Sequence, residues 1–232
     1  DGYLLADKND QTKLIDAYIN PAMKGLIYGM NNGWYHTAKV HKTLGFDISI
    51  GINSSFISKG DEMFTLSGLT SINQNNGGNI TAATAAGSEN TTPPTTVNLS
   101  ENNINYSTTF NAPGGIKEDL PLNAIPTPAV QINLGLPANF EISLRLVPKV
   151  GSEDVQGNLL GIGLKKEITQ WFGPIDKTPL HVSLLAAYST MTVDYNIDEN
   201  QDVSVQNGLA EFKLNSYTVE AIASLNFPII NL

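Results

Sequence analysis

The chain has 232 residues and a formal net charge of -9, and only 15% of its residues are charged against 41% apolar. A soluble domain usually has about 25% charged residues. Its few basic residues form no cluster, which argues against nucleic acid as a partner. The absence of cysteine excludes disulfides, thiolate catalysis and cysteine-based metal sites. The sequence has no run of about 18 apolar residues, the length that a membrane-spanning helix needs. If the chain crosses a bilayer, it therefore does so with strands.

Residues 1–43 form a helical segment that we treat as a separate region from residues 44–232. Asn9 or Asp10 is suited to cap a first helix, and Asn20-Pro21 to begin a second that stops at Gly33. The sequence therefore predicts a short helical hairpin, either a lid on one end of a sheet or a plug in the mouth of a barrel.

Apolar and polar residues alternate with period two in the rest of the chain, which places the two sets on opposite faces of a sheet. The clearest apolar sets include Ile48, Leu134 and Leu144. A soluble sandwich also alternates, so the pattern alone leaves open whether water or lipid contacts each face. We predict six strands, at 44–57, 128–136, 139–148, 158–171, 180–195 and 210–228.

The connections between these strands differ in length at the two ends of the predicted sheet. Short turns at 137–139 and 173–179 fall at one end, and the connections 58–127, 149–157 and 196–209 fall at the other. This asymmetry is typical of outer-membrane barrels, whose long loops face outward. It places the amino-terminal helices on the periplasmic side.

Two stretches are irregular in this pattern. Residues 70–115 are rich in Asn, Thr, Ser and Gly, which predicts loop or disorder with a short ribbon around 103–110. Within 180–195, the run Leu184–Ala187 has no clean parity, which indicates either a bulge or a section that is apolar on both faces.

The polar face carries the candidate site. Glu141 and Arg145 lie four residues apart on one predicted strand, and Lys165 and Glu167 lie on the next. These four side chains either neutralise one another across the interior, or leave Arg145 to hold the carboxylate of a ligand. The lumen and ligand candidates are Asp47, Glu141, Arg145, Lys165, Glu167 and Glu220.

Aromatic residues near the predicted strand ends are typical of an interfacial girdle, although soluble proteins also keep aromatics near their edges. The girdle candidates are Trp34, Tyr35, Trp171 and Phe172. Lys166 shares parity with Leu164 and points toward lipid, where its position near a strand end would let its amine reach the interface.

Enzymatic chemistry finds no support in the sequence. The three histidines, His36, His41 and His181, lie outside any metalloprotease motif, and no nucleophile elbow or phosphate loop occurs. We expect surface or structural histidines, no catalytic residues, no metal and no cofactor.

Several motifs resemble those of a family of largely uncharacterised outer-membrane barrels from Bacteroidota, itself distantly similar to the long-chain fatty-acid transporter (FadL-like) barrels. The resemblance covers most of residues 14–195 apart from the Asn/Thr-rich stretch. It implies a barrel of about fourteen strands in the outer membrane. The motifs are Gly33–Lys39 with Leu44–Ile48, Pro126–Pro128 with Leu134–Pro137, Leu144–Pro148, Leu160–Lys165 and Ile168–Trp171.

We therefore expect an all-β transmembrane antiparallel barrel with a short amino-terminal helical segment. Single-chain barrels begin at eight strands, so six predicted strands suggest the amino-terminal portion of a longer polypeptide, here in mature form without its signal peptide. Its partners would be outer-membrane lipid and other outer-membrane or periplasmic proteins. One hypothesis is a barrel that passes a small apolar or amphipathic solute. The alternatives are a non-transporting scaffold subunit of an outer-membrane complex and a secreted soluble β-sandwich.

Overall fold

The computed structural model describes residues 3, 6–73, 80–89, 94–101, 104–151, 155–197 and 208–226. The protein is mostly antiparallel β-structure with one amino-terminal helix, which agrees with the predicted all-β class. It divides into two compact units. The insertion unit comprises Asp1–Leu26 and Ser54–Pro126, and the sheet unit comprises Ile27–Asn53 and Thr127–Leu232.

A single helix, α1 (Lys8–Asn31), replaces the predicted hairpin, and Pro21 lies inside it. An interior proline removes one helical hydrogen bond, and the burial of Leu14 and Met30 on either side of it stabilises the continuous helix. The cap is Asp7 rather than Asn9 or Asp10, because its Oδ1 accepts the backbone N–H groups of both of those residues. The predicted stop is confirmed, since α1 ends before Gly33, whose φ of 72° is left-handed.

The described part of the chain contains no helix with both the length and the apolarity that a membrane-spanning helix requires.

The insertion unit contains strands where the sequence predicted loop or disorder. Sparse apolar residues in that stretch, including Ile72 and Ile80, pack in one core with Leu14 of α1, and this packing offsets the loop-like composition. The predicted ribbon around 103–110 coincides with one of the strands. They are β2 (Met63–Leu66), β3 (Ile72–Asn73), β4 (Ile80–Ala83), β5 (Pro94–Glu101) and β6 (Ile104–Asn111).

Residues Lys8–Leu26 of α1 belong to this same insertion unit. Most of the unit comes from the stretch between Ser54 and Pro126.

The six strands predicted from the alternation are confirmed, and they form one sheet in the order β1-β7-β8-β9-β10-β11. The described strands leave one edge of β1 and one edge of β11 without a hydrogen-bonded neighbour in this sheet. The sheet is curled like half of a barrel. Its strands are β1 (Phe46–Phe56), β7 (Ala124–Leu136), β8 (Phe140–Gly151), β9 (Val155–Glu167), β10 (Leu180–Ile197) and β11 (Gly208–Leu225).

Three local features of the sheet test the finer predictions. The turn at Pro137–Asn139 is present, with Ala138 and Asn139 in left-handed conformations. β9 ends at Glu167 instead of residue 171, because Thr169–Lys177 forms 3-10 turns. The register is continuous along β10, so the bulge predicted there is wrong, and Leu184–Ala187 is a section apolar on both faces. The irregularity lies instead between Val147 and Val150 of β8.

Candidate functional site

The sheet unit is polarised in the opposite sense to a water-soluble sheet. On its outer face, Ile48 is 62% exposed, Leu144 47% and Ile162 51%. On its inner face, Glu141 is 2% exposed and Arg145 1%. Charged residues are almost never fully buried unless they are paired, so the inner face must contain their partners.

Those partners come largely from one stretch of the chain, residues 32–45, which we call the inner segment. It leaves α1 and runs along the inner face until β1 begins. Trp34 and Ala38 are its buried anchors, and they pack with the inner-face side chains of Leu185, Ala187 and Ile222.

Two glycines of β9 make room for the Trp34 ring. A Cβ atom on Gly161 would lie 2.8 Å from Cη2 of Trp34, and one on Gly163 would lie 3.1 Å from its Cε3. Real Cβ atoms rarely approach that closely, so any larger side chain at these positions displaces the indole. The Gly-x-Gly of β9 therefore forms the floor of a tryptophan site.

Arg145 closes that site from β8. Its guanidinium carbon lies 4.0 Å from the centroid of the Trp34 ring, a cation–π contact. Its Nη1 donates to the carbonyls of Met30 and Asn32, each at 3.0 Å. Its Nε and Nη2 both donate to Oε1 of Gln131, at 3.1 and 2.9 Å. With four donors engaged inside the protein, Arg145 fixes the end of α1 and is not placed to hold a ligand carboxylate.

Amide and hydroxyl side chains continue the network toward β1. Gln131 donates to the Trp34 carbonyl at 3.0 Å and to Oδ1 of Asn133 at 2.8 Å. Asn133 in turn donates to Oδ1 of Asp47 at 2.8 Å, and Ser143 donates to Asn133. Asp47 thus lies on the inner face of β1, as predicted.

The predicted ion network is present in part. Lys165 Nζ lies 2.7 Å from Oε1 of Glu141 across β8 and β9, and both side chains are buried. Lys165 also donates to the inner-segment carbonyls of Thr37 and Lys39, at 3.2 and 3.4 Å. Arg145 takes no part in this pair, because its donors face Gln131 and α1.

Glu141 and Glu167 hold two successive backbone amides of the inner segment. Glu167 Oε2 accepts the N–H of Val40 at 3.1 Å, and Glu141 Oε2 accepts the N–H of His41 at 2.9 Å. Each carboxylate also contacts an imidazole: His41 Nδ1 lies 2.7 Å from Glu141, and His181 Nδ1 lies 2.6 Å from Glu167. His41 and His181 thus belong to the site, although neither lies in a sequence motif that would have identified it.

Hydroxyl groups of the last two strands hold the middle of the inner segment. Ser183 donates to the Ala38 carbonyl, and Ala38 donates its N–H to Oγ of Ser224 at 3.0 Å. Side chains from the sheet therefore bind mainly backbone atoms of the inner segment. Such an arrangement is suited to holding an extended polypeptide in place.

The other predicted site residues lie apart from this network. Glu220 is partly buried and accepts a hydrogen bond from the exposed side chain of Tyr35. Trp171 and Phe172 are exposed in the 3-10 turns after β9. The prediction that Trp34 belongs to an outer girdle is wrong, because its side chain is 2% exposed on the inner face.

Aromatic side chains lie at two levels of the apolar outer face. Near the short turns, Lys166 Nζ lies 4.5 Å from the ring centroid of Phe140 and donates to the carbonyl of Ala138. Midway along β10 and β11, Tyr188 and Tyr217 are paired across the two strands, with ring centroids 5.0 Å apart. Sequence reasoning missed this tyrosine pair, because its two members meet only through the strand register.

The described residues contain no group of three or more His, Cys, Asp or Glu side chains arranged to hold a metal ion.

No curated protein and no solved structure matches the chain. The model of DUF6588, a family of unknown function, matches residues 1–232. The chain therefore belongs to the DUF6588 family.

Proposed function

We propose that the protein is an integral outer-membrane β-barrel protein in which the inner segment closes the lumen. The observation that carries this proposal is the inverted polarity of the six-stranded sheet. Its inner face buries a paired lysine and glutamate, an arginine and several amides, while its outer face exposes large aliphatic side chains on every strand. Lipid is the solvent that suits such an outer face.

Exposing the apolar outer face to water would be unfavourable. Removing one Val, Leu or Ile side chain from water is worth about 1.5–3 kcal/mol. Soluble monomers rarely expose contiguous apolar patches of more than a few hundred Å². A soluble sandwich would bury the face that carries Ile132, Leu144 and Ile162 under a second layer, whereas these side chains are 43–51% exposed.

The margin of the outer face near the short turns supports the same proposal. Aromatic rings with a polar tip favour the headgroup level of a bilayer, where Trp171 would lie at this margin. Lys166 lies at the Trp171 margin, where a lysine amine reaches the interface. The connections from β8 to β9 and from β10 to β11 would then face outward.

The inner segment would act as the plug of this barrel. It is anchored by Trp34 against Gly161 and Gly163, and its backbone is bound by side chains from strands β7 to β11. In the proposed barrel, this closed arrangement would block passage along the inner face. Passage of a small apolar or amphipathic solute would require the inner segment to move, whereas a scaffold subunit would keep it in place.

Vesicle flotation tests the membrane proposal. The purified protein should require detergent for solubility, float with reconstituted vesicles and remain with them at alkaline pH. A protein that stays soluble without detergent and does not float would contradict the proposal and favour a secreted sandwich.

A reversible crosslink separates the two barrel functions, because the native chain has no cysteine. The variant Ala38→Cys with Ser183→Cys joins the inner segment to β10 where these residues already form a hydrogen bond. Solute entry into vesicles when the pair is reduced, with loss of entry when it is oxidised, indicates a transporter. No entry in either state, together with co-purification of a fixed partner, indicates a scaffold.

A further inference from the structure

The imidazole of His41 lies between carboxylates of two different strands. Its Nδ1 is 2.7 Å from Oε2 of Glu141 on β8, and its Nε2 is 3.2 Å from Oδ2 of Asp47 on β1. Both contacts connect the carboxyl end of the inner segment to the sheet. His41 is thus the residue where the inner segment, β1 and β8 meet.

The donor inventory of histidine fixes its charge in this arrangement. A neutral imidazole has one N–H donor and one nitrogen lone pair, whereas the imidazolium cation has two donors. Ionised carboxylates only accept hydrogen bonds. Satisfying Glu141 and Asp47 together therefore requires the cation, and a neutral ring would place a lone pair against a carboxylate oxygen.

The surrounding charges also favour a cation at this place. The inward-facing charged and titratable groups on the elements around His41 include Asp47 on β1, Glu141 and Arg145 on β8, Lys165 and Glu167 on β9, His181 on β10 and Glu220 on β11, with Tyr35, His36, Lys39 and Lys42 exposed on the inner segment. The hydrogen bonds of Arg145 go to Gln131 and to the carbonyls of Met30 and Asn32 rather than to these carboxylates. Near His41, β7 contributes the uncharged Asn133, which donates to Asp47. Of the lysines, only Lys165 is paired with one of these carboxylates.

We propose that His41 is a proton-operated pin that fastens the inner segment to the sheet. With the ring protonated, Nδ1–H donates to Glu141 and the positive ring forms an ion pair with Asp47, whose Oδ2 lies 3.2 Å from Nε2, which closes the inner segment against β1 and β8. When the proton leaves Nε2 for solvent, the contact with Asp47 becomes repulsive and the inner segment, including Trp34, loosens from the sheet. The side chain of histidine is suited to such a switch because its charge changes between about pH 5 and 8.

The direction of the pH effect follows from this proton balance. The stabilising species is the cation, so the closed state is favoured at mildly acidic pH and weakened as the pH rises. The proposal concerns only how the inner segment is held to the sheet and does not depend on the outer face contacting lipid. Protein in detergent micelles can therefore test the pin whether or not the outer face contacts lipid.

Trp34 provides the conformational readout. In a Trp171→Phe background it is the one remaining tryptophan, and it is buried in the inner segment. We expect acrylamide quenching of Trp34 to increase on the order of twofold between about pH 6 and about pH 9. The matched control His36→Gln alters an exposed histidine of the same segment and should leave this increase unchanged.

Two substitutions at position 41 test whether the charge of His41 controls the quenching of Trp34. His41→Lys keeps a cation over the whole range, so quenching should stay low at both pH values. His41→Gln cannot carry charge, so quenching should be high and independent of pH. The proposal is overturned if His41→Gln shows the same pH dependence as the parent. It is also overturned if the ring carbon NMR signals of His41 show a neutral imidazole at the pH where quenching is lowest.

Discussion

The guanidinium carbon of Arg145 lies 4.0 Å from the centroid of the Trp34 ring, on the buried inner face of the sheet. These two residues join α1, the inner segment and β8, because Arg145 also donates to the carbonyls of Met30 and Asn32. The arginine is thus the point at which the helix end, the tryptophan and the sheet are fixed to one another.

Replacing Arg145 tests this role. Arg145→Met removes the donors to Gln131 Oε1 and to the carbonyls of Met30 and Asn32, and each buried acceptor left unpaired costs about 1–3 kcal/mol. We expect a loss of several kcal/mol in the free energy of unfolding by urea. Arg145→Lys keeps the charge but loses the planar fork, so its loss should be smaller. Equal stability of Arg145→Met and the parent would contradict the role assigned to Arg145.

A second prediction concerns Gly161, because the Trp34 ring closely approaches this residue. Gly161→Ala should lower the free energy of unfolding by about 1–3 kcal/mol, because the added methyl overpacks the site. Trp34→Phe removes part of the clashing ring, so the alanine should cost less in that background. A double-mutant cycle measures this coupling, and strictly additive effects would show that the ring and the glycine do not meet.

The outer face makes a third prediction. Ile162→Lys puts a charge in the middle of the apolar face, where lipid would impose a cost of about 2–4 kcal/mol for a midplane lysine. Folding yield into vesicles should fall accordingly. The control Asn158→Lys lies toward the end of the same strand, on the same face, and should be nearly neutral. Equal tolerance of both changes would indicate that water covers this face.

The insertion unit makes a fourth prediction, which concerns pH. Burial opposes ionisation of Asp10, but the backbone N–H groups of Ser71 and Thr70 outweigh it and hold the pKa of this carboxyl below its usual range. A lowered folded pKa means that the ionised carboxylate stabilises the unit above the ordinary aspartate pKa of about 4. That stability is lost as the pH falls through the folded value.

Asp10→Asn tests this assignment. Hydrogen bonds to charged groups contribute about 1.5–3 kcal/mol each, so the variant should unfold more readily at pH 7, with a smaller difference from the parent in acid. Asp16→Asn, at an exposed position of the same helix, is the matched control. An unchanged stability of Asp10→Asn at pH 7 would refute the assignment.

The sheet was largely predictable because its information is local. Period-two alternation around Ile132, Leu144 and Ile162 determines both the strands and the face of each side chain, whichever solvent covers the outer face. The same parity placed Glu141 and Lys165 together on neighbouring strands, and the structure pairs them at 2.7 Å. Only the observed ends of the strands differ from the predicted ends, because turn formation competes there with strand pairing.

The features that could not be predicted depend on contacts between residues far apart in the sequence. Trp34 resembled a girdle residue because no local pattern shows that Gly161 and Gly163 make room for it. His41 looked like a structural or surface histidine until the fold brought Glu141 and Asp47 to its two nitrogens. The Asn/Thr-rich stretch looked like loop, because its few apolar residues form a core only with α1.

Spin labels on β10 test most directly whether lipid contacts the outer face of the sheet. This strand has neighbours on both sides, and the chain has no native cysteine. Cysteines at Leu184 and Ala186 would point outward, and those at Ala187 and Ser189 would point inward. In vesicles, the account predicts that the outward labels are accessible to oxygen and protected from a water-soluble nickel chelate, while the inward labels are protected from both. Outward labels that are as accessible to the nickel chelate as a free label in solution would contradict lipid contact.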